Sequence, residues 1–415
     1  MDTMPSTSTI CRDRTPLLSR KISHKLATCS RVFQYCTMPP RATKPGLYSH
    51  LQSSRFRVAA QAAEASVAFQ SVDDSVWDER YADEGPLEYG LATLQGPREE
   101  MEDYASIVPR GRCGFLYAAV FDGHGGHSAA DYMSKNLYKI LSVSIEDEKK
   151  DGECQIEERD ANGVCCPTEF AEALKDCFHQ ADKQLLHWLQ HDSGENEEEQ
   201  SCGTTATVML VRQDKIVVAN IGDSRAVLSR AGQAIDLSTE HRLYGQGDTV
   251  TSESHRVKEA GGWIDDGRVC DILAVSRAFG DREFKGEGLP VMLRKGVMTE
   301  QWSQEFADGV KFTKDPVVCD PDVTEIQLKD DDEFVLVASD GLWDVMDSKH
   351  AVSIARQQFK RGKDAQEVAD HIARLAVKRH TYDNVAVAVV DILGSKEDGW
   401  KAKKKKGSSG MFGMF

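Results

Sequence analysis

The clearest hydrophobic segment of the chain is Tyr117–Phe121, an unbroken apolar and aromatic run that predicts a fully buried strand. Asp122, Gly123 and His124 follow at once, so polar side chains would lie at the end of a rigid element. Because Gly123 lacks a Cβ, an ion could approach its backbone carbonyl as well as the Asp122 carboxylate. A strand that ends in an ordinary Asp-Gly turn is the alternative interpretation.

Other apolar runs predict further strands. They are Leu87–Gln95, Thr204–Val211, Ile216–Ile221, Ala226–Ser229, Phe334–Ser339 and Val385–Val390. Short turns separate the three that lie between residues 204 and 229, which predicts an antiparallel meander. Residues 232–270 form a long, Gly-rich, polar connection, and 286–315 an insertion with one short amphipathic piece, Met298–Phe306.

Apolar positions at helical spacing predict helices on either side of these strands. The predicted helices start after Gly126, start at Thr168 as an N-cap, and span Ser348–Phe359 and Asp364–Lys378. The acidic stretches 146–160 and 192–200 bracket the second helix and are interpreted as solvated loops.

Composition restricts the class of protein. The formal net charge of -16 argues against nucleic acid as a partner, and no run of 18 apolar residues predicts a membrane-spanning helix. Eleven cysteines without a C-x-x-C pair favour a reducing compartment over a disulfide scaffold. Cys165-Cys166 fits a redox pair or two ordinary loop thiols.

Residues 1–60 differ from the rest, with ten Lys and Arg against two acids and abundant Ser and Thr. This composition predicts an organelle transit peptide, with small residues over Val58–Ala62 as a processing site and residues 61–86 as a linker. A disordered basic tail is the alternative. With this segment removed, the remaining chain would be more acidic still.

Several carboxylates share one design, in which each lies at the end of an apolar strand or in its turn. They are Asp122, Asp223, Asp340 and Asp383, with Glu102-Asp103 as a further cluster. Acids crowded at one place would repel one another unless cations neutralised them. Oxygen ligands suit Mg²⁺ or Mn²⁺, and two such ions about 4 Å apart would activate a water and bind a phosphoryl oxygen.

The motifs around these acids resemble those of the protein phosphatase 2C (PP2C) family of metal-dependent Ser/Thr phosphatases, in the family's order over residues 87–392. They are Gly96-Pro97-Arg98-x-x-Met101-Glu102-Asp103, Phe121–Gly125, Gly203–Ala206, Gly222–Arg225, Ala274–Asp281, Ser339–Asp344 and Asp383-Asn384. The resemblance implies an α+β fold. Two antiparallel sheets would pack face to face between helices as a four-layer α-β-β-α sandwich, with a dimetal centre between the sheets.

The resemblance also implies a ligand set for two Mg²⁺ or Mn²⁺ ions. Asp122 would bridge both ions, and the Gly123 carbonyl would bind the second. Asp340 and Asp383 would hold the first, and Glu102 would reach the second through water. By the same resemblance, Asp223 and Asp340 would take a weaker third ion.

Three more residues receive roles from the resemblance. Arg98 would bind the phosphate as a bidentate fork, with a surface pair to Glu102 as the alternative. His124 would protonate the leaving alkoxide, with a structural histidine as the alternative. Asp103 would support either His124 or a metal-bound water.

Within the family the chain resembles the thylakoid-associated phosphatases of plants and algae that act on phosphorylated light-harvesting antenna proteins. Three segments carry this match. They are the extended loop between Thr239–Arg242 and Arg256–Trp263, Gly267–Cys270 with the segment that follows it, and Met292–Val297. The expected location is the chloroplast stroma or the stromal face of the thylakoid. Cys270-Asp271 and Leu243 depart from the family's usual Asn-Gly and Pro.

Residues 393–415 are predicted to be a basic tail, where the plant relatives have a hydrophobic anchor. Five lysines within Lys401–Lys406 would hold the protein peripherally at an anionic membrane, with Trp400 and the apolar residues of Met411–Phe415 adding shallow contact. A solvated tail is the alternative. Two rival functions stay open: a phosphatase with a soluble stromal substrate, and a catalytically silent protein that binds phosphoproteins.

Overall fold

The computed structural model describes residues 87–147, 170–193, 197–396 and 399–400. The predicted leader and linker, the Cys165-Cys166 pair and the lysine cluster of the tail lie outside the described residues. No helix in the described ranges is long and apolar enough to cross a membrane.

The described strands are numbered in chain order. They are β1 (Glu88–Leu94), β2 (Tyr104–Val108), β3 (Leu116–Phe121), β4 (Gly123–His124), β5 (Gly203–Thr204), β6 (Ala206–Val211), β7 (Lys215–Ile221), β8 (Arg225–Arg230), β9 (Gln233–Asp236), β10 (Ile264–Asp265), β11 (Arg268–Val269), β12 (Phe279–Gly280), β13 (Asp322–Gln327), β14 (Asp332–Ala338) and β15 (Val385–Asp391).

The described helices follow the same order. They are α1 (Ser128–Asp147), α2 (Phe170–His191), α3 (Glu197–Ser201), α4 (Asp248–Glu259), α5 (Gly288–Met298), α6 (Gln304–Gly309), α7 (Asp340–Trp343), α8 (Ser348–Lys360) and α9 (Ala365–Lys378). Short 3₁₀ turns cover Arg112–Gly114 and Arg282–Phe284.

Two five-stranded antiparallel sheets form the centre of the molecule. The first sheet has the order β1-β15-β14-β8-β9 and the second β13-β7-β6-β3-β2. One apolar cluster lies between them and includes Leu116, Val120 and Val337. Helices α1 and α2 pack on the second sheet, and α8 and α9 pack on the first. The expected α-β-β-α sandwich is therefore confirmed.

Strand β3 is apolar at every position because both of its faces are covered. Tyr117 and Phe121 point into the cluster shared with α1 and α2, whereas Leu116 and Val120 point between the sheets. Alternate side chains of a strand face opposite sides, so a strand covered on both faces must be apolar throughout. Every residue of β3 is buried.

The predicted meander over residues 204–229 is wrong in its last strand. Strands β6 and β7 pair in the second sheet, but β8 pairs with β14 and β9 in the first. The turn between β7 and β8 is therefore a crossing between the sheets. It contains Asp223, which brings this acid to the end of the sandwich.

The connection over residues 232–270 and the insertion hold more structure than predicted. Helix α4 lies inside the connection. The predicted piece Met298–Phe306 is not one element, because α5 ends at Met298 and α6 begins at Gln304. These segments share a small apolar cluster that includes Val257, Met292 and Val317. Its apolar residues come from several short pieces, so no single segment displayed a strong period.

Trp400 was predicted to belong to the tail, but in the structure it packs on α8. Its ring stacks on Phe359 of α8 with centroids 4.9 Å apart and planes 4° from parallel. Its indole N–H donates to Asp391 Oδ2 at 2.8 Å. Trp400 is therefore part of the packed domain, which continues past the predicted boundary at residue 392.

Candidate metal centre and active site

Asp122 is fixed by the backbone at the end of β3. Its carbonyl oxygen accepts hydrogen bonds from the Thr205 N–H at 2.9 Å and from the Thr204 hydroxyl at 3.1 Å. Its own N–H donates to the Thr205 hydroxyl at 3.3 Å. The residues of Gly203–Ala206 thus hold the main chain of Asp122 without using its carboxylate.

The carboxylates of Asp122, Asp223 and Asp340 converge, and their oxygens lie within 4.8 Å of one another. Burial raises the pKa of Asp122 and Asp340 well above the usual range, and repulsion from neighbouring acids adds to the effect. Burial also raises the pKa of Asp223, with Arg242 opposing it in part. The second sheet supplies Asp122, the first sheet supplies Asp340, and the crossing supplies Asp223.

Asn384 joins the loop that contains Arg98 to the first sheet. Its side-chain amide donates to the carbonyls of Gln95 at 2.6 Å and Glu100 at 3.0 Å, and its Oδ1 accepts the Glu102 N–H at 2.8 Å. Its own N–H donates to Asp383 Oδ1 at 2.7 Å. One amide therefore sets the position of the loop relative to a predicted metal ligand.

Glu102 and Gly123 lie in direct contact. A Cβ on Gly123 would lie 2.4 Å from the Glu102 carbonyl oxygen, so this position requires glycine. The Glu102 carboxylate accepts the Gly126 N–H at 2.7 Å, which turns it toward the loop after β4. Both predicted ligands of the second ion are thus close together.

Arg98 contacts Asp383 rather than Glu102. Its Nη2 donates to Asp383 Oδ2, and its Nε donates to the Tyr382 carbonyl at 3.1 Å. The alternative of a surface pair with Glu102 is therefore wrong. The Arg98 side chain is 42% exposed beside the acidic cluster, so its guanidinium can reach a phosphate that binds there.

His124 is held by Asp281. Its Nε2 lies 2.9 Å from both carboxylate oxygens of that residue. Asp103 instead accepts a hydrogen bond from the Ser339 hydroxyl at 2.6 Å and is 4% exposed. Among the described residues the carboxylate that contacts His124 is thus Asp281 and not Asp103, and support of a metal-bound water by Asp103 stays a prediction.

Arg242 lies where the weaker third ion was predicted. Its Nε is 3.2 Å from Asp223 Oδ2, and its Nη2 is 3.6 Å from Asp340 Oδ2 and 3.5 Å from Asp344 Oδ1. Burial alone would lower the pKa of the guanidinium, but Asp223 and Glu240 raise it. A permanent positive charge thus already balances these acids.

The donor set fits divalent cations. Its side chains offer oxygen only, and burial and repulsion from neighbouring acids raise the pKa values of Asp122 and Asp340. Hard cations such as Mg²⁺ and Mn²⁺ prefer such ligands.

The sequence did not assign roles to several residues that build the site. They are Thr204, Thr205, Arg242, Asp281 and Asn384. Four of them lie inside the motifs that carry the family resemblance, and Arg242 lies in Thr239–Arg242, a segment of the narrower resemblance, so their place in the chain was a signal. Their roles depend on hydrogen bonds between distant segments, which spacing alone does not display.

The sequence is similar to those of known protein phosphatases. The family model described as Protein phosphatase 2C matches residues 87–385. The chain is 38% identical to Protein phosphatase 2C 57 of Arabidopsis thaliana. The match extends over 375 residues, which are 90% of this chain and 88% of that protein. It is 32% identical to Protein phosphatase 2C homolog 3 of Schizosaccharomyces pombe over 74% of this chain and 64% of the relative.

Solved structures show the same fold. The serine-threonine phosphatase 2C of Toxoplasma gondii superposes with a TM-score of 0.54 at 18% identity, over 79% of this chain and 98% of that one. A second Toxoplasma gondii phosphatase superposes with a TM-score of 0.53 at 20% identity, over 74% and 93%.

Proposed function

Because the chain belongs to the protein phosphatase 2C family and is a protein-serine/threonine phosphatase, we propose that it hydrolyses its substrates with a water activated at the acidic cluster. The convergence of Asp122, Asp223 and Asp340 within 4.8 Å supports this proposal. The family is metal-dependent, and Mg²⁺ or Mn²⁺ would supply the charge that activates water and stabilises phosphoryl oxygens.

The protein's own residues bind and orient the substrate. Asp122, Asp340 and Asp383, with Glu102 and the Gly123 carbonyl, would hold two ions. Arg98 would leave Asp383 for the phosphate, where its fork can donate two parallel hydrogen bonds. His124 would give a proton to the leaving oxygen of serine or threonine.

The first experiment measures release of phosphate from a phosphothreonine peptide by the purified protein, with Mn²⁺, with Mg²⁺ or after chelation. We expect activity with either ion and none after chelation. Asp122→Asn should lower kcat at least about a thousandfold, or about 4 kcal/mol of barrier, because the bridging carboxylate is lost. Asp320→Asn changes an exposed acid outside the site and is the matched control.

Calorimetric titration with Mn²⁺ tests the ion count separately. We expect two ions per wild-type chain and a lower count for Asp122→Asn. Near-normal turnover by Asp122→Asn at saturating metal would contradict the two-ion assignment.

We propose that the substrates are phosphorylated thylakoid proteins, with light-harvesting antenna proteins first among them. The transit-like leader and the family segments around residues 239–297 support a chloroplast enzyme. Fusion of residues 1–60 to a fluorescent protein tests whether this segment directs a protein to the chloroplast. Comparison of phosphoproteins in cells with and without the enzyme tests the substrate, and accumulation of stromal phosphoproteins alone would favour the soluble alternative.

A further inference from the structure

The contact between His124 and Asp281 is made by three short strands outside the two main sheets. Strand β5 pairs with β4 on one side and with β12 on the other, so Gly203 lies opposite both His124 and Gly280. A Cβ on Gly203 would lie 2.4 Å from the Asp281 carboxylate. Glycine at this position is therefore what gives the Asp281 side chain room to reach the histidine.

Asp281 is held in place at some energetic cost. It is 3% exposed, and its φ of 50° lies in the left-handed region that most residues avoid. Its N–H donates to the Cys202 carbonyl at 3.1 Å. Asp281 is thus both buried and strained in its backbone, and in this conformation its carboxylate lies against the ring of His124.

A buried ion pair supports the same segment. Asp182 of α2 accepts the Gly280 N–H at 2.8 Å and pairs with Lys285 Nζ at 2.8 Å and 2.9 Å. The side chains of Asp182 and Lys285 are each 9% exposed. Burying a charge pair is costly unless its hydrogen bonds are satisfied. This pair uses them to fix the backbone just before Asp281, since Lys285 Nζ also donates to the Ala278 carbonyl at 3.0 Å.

We propose that Asp281 is the positioning residue for general-acid catalysis by His124, a role that rests on the proposed function. A protonated imidazole donates from both nitrogens. Donation from Nε2 to Asp281 fixes the plane of the ring and leaves Nδ1 as the nitrogen that serves the substrate.

Hydrolysis with this proton transfer needs no reactant other than water. A water oxygen bonds to phosphorus, and the bond from phosphorus to the serine or threonine oxygen breaks with its electron pair on that oxygen. Nδ1 of His124 gives this oxygen its proton. Of the two protons of the water, one stays on the released phosphate and one returns to the ring through solvent.

The test compares two substrates, a phosphothreonine peptide and p-nitrophenyl phosphate, because the nitrophenolate leaves without needing a proton. His124→Gln should slow the peptide at least about a hundredfold and the aryl ester far less. Asp281→Ala should slow the peptide about tenfold or more and the aryl ester less than about threefold. Asp281→Asn keeps an acceptor and should lose less than Asp281→Ala.

Asp320→Asn is the matched control, since Asp320 Oδ1 lies 2.9 Å from His179 Nε2 in an exposed pair outside the site. It should leave both rates unchanged. Gly203→Ala displaces Asp281 without altering either member of the pair, and it should reproduce the difference between substrates if Asp281→Ala does not fold.

The outcomes separate the two proposals. A split between substrates for His124→Gln together with equal slowing for the Asp281 and Gly203 variants would overturn the role of Asp281 and leave the proposed function intact. Equal slowing of both substrates by His124→Gln would overturn the general acid itself, and the role of Asp281 with it.

Discussion

At the scale of single residues, the acidic cluster makes stability depend on cations and pH. Burial and mutual repulsion raise the pKa of Asp103, Asp122 and Asp340 above the unfolded value of about 3.9. A raised carboxyl pKa favours the protonated folded form. The contribution of these groups is therefore greatest below about pH 4 and is lost as pH rises through the raised values.

This sign gives a prediction for the metal-free protein. Asp122→Asn should be more stable than the wild type at pH 8 after chelation, and the difference in unfolding free energy should shrink toward pH 4. Each pKa unit corresponds to about 1.4 kcal/mol. Urea unfolding at several pH values measures it.

Saturating Mn²⁺ should reverse the order of these two proteins. An ion at a hundred times its Kd adds about 2.7 kcal/mol to whichever protein binds it. A metal-free wild type that is as stable as Asp122→Asn at pH 8 would show that the acids do not repel one another as the geometry requires.

At the scale of elements, Gly341 permits the start of α7 to lie against the start of β15. A Cβ there would lie 1.8 Å from the Asn384 carbonyl oxygen. Gly341→Ala should separate Asp340 from Asp383, cost about 1–3 kcal/mol and weaken Mn²⁺ binding at least about tenfold. Thermal unfolding and calorimetry measure the two effects.

Gly309→Ala is the control for this substitution, because a Cβ at Gly309 has no heavy atom within 4 Å. It should change stability by less than about 1 kcal/mol and leave metal binding unaltered. Unchanged Mn²⁺ binding by Gly341→Ala would contradict the close approach of the two elements.

The departure from the family at Cys270-Asp271 has a backbone consequence. Both residues adopt left-handed φ values, 51° and 60°, in the turn after β11. The resemblance implies Gly at the second position, and a glycine there would adopt this conformation at little cost. Asp271→Gly should therefore stabilise the protein by about 0.5–1 kcal/mol, whereas Asp308→Gly inside α6 should destabilise it by about 1 kcal/mol. Urea unfolding measures the stability of both variants. A loss of stability for Asp271→Gly would contradict the expected strain.

Long periodic segments were predictable from the sequence because their burial is dictated locally. The apolar run of β3 and the apolar face of α9 show this. The switch of β8 between sheets was not predictable, since the same alternation suits either sheet. Helix α4 was missed because only Glu253 and Val257 among its residues are buried, so it has almost no apolar stripe.

The acids at strand ends were predictable, but their partners were not. Asp122 follows a buried strand, which marks it directly. Asp281 follows a two-residue strand in a polar segment, and its contact with His124 joins residues 157 positions apart. Such pairings depend on tertiary structure, so only the fold displays them.

At the scale of the whole molecule, the lysines of Lys401–Lys406 predict a reversible membrane contact. Each lysine near an anionic bilayer contributes about 1 kcal/mol, which opposes the repulsion of an acidic protein. Deletion of residues 401–415 should abolish binding to anionic vesicles and leave hydrolysis of soluble phosphopeptides unchanged. Sedimentation with vesicles over a range of salt concentrations measures it.

The deletion begins after Trp400 because that side chain packs on the domain. Replacement of the lysines by glutamine is the matched control for loss of length. Binding that survives both the deletion and high salt would point to a different membrane contact.

The stacking of Trp400 on Phe359 also limits how the enzyme could lie on a surface. Lys401 follows the tryptophan directly, and six residues span at most about 20 Å when fully extended. A bilayer that holds the lysines would thus draw the α8 side of the molecule to within that distance. Membrane binding through these lysines would therefore set the orientation of the enzyme as well as its location. Substrates on the same membrane would approach it from a restricted range of angles.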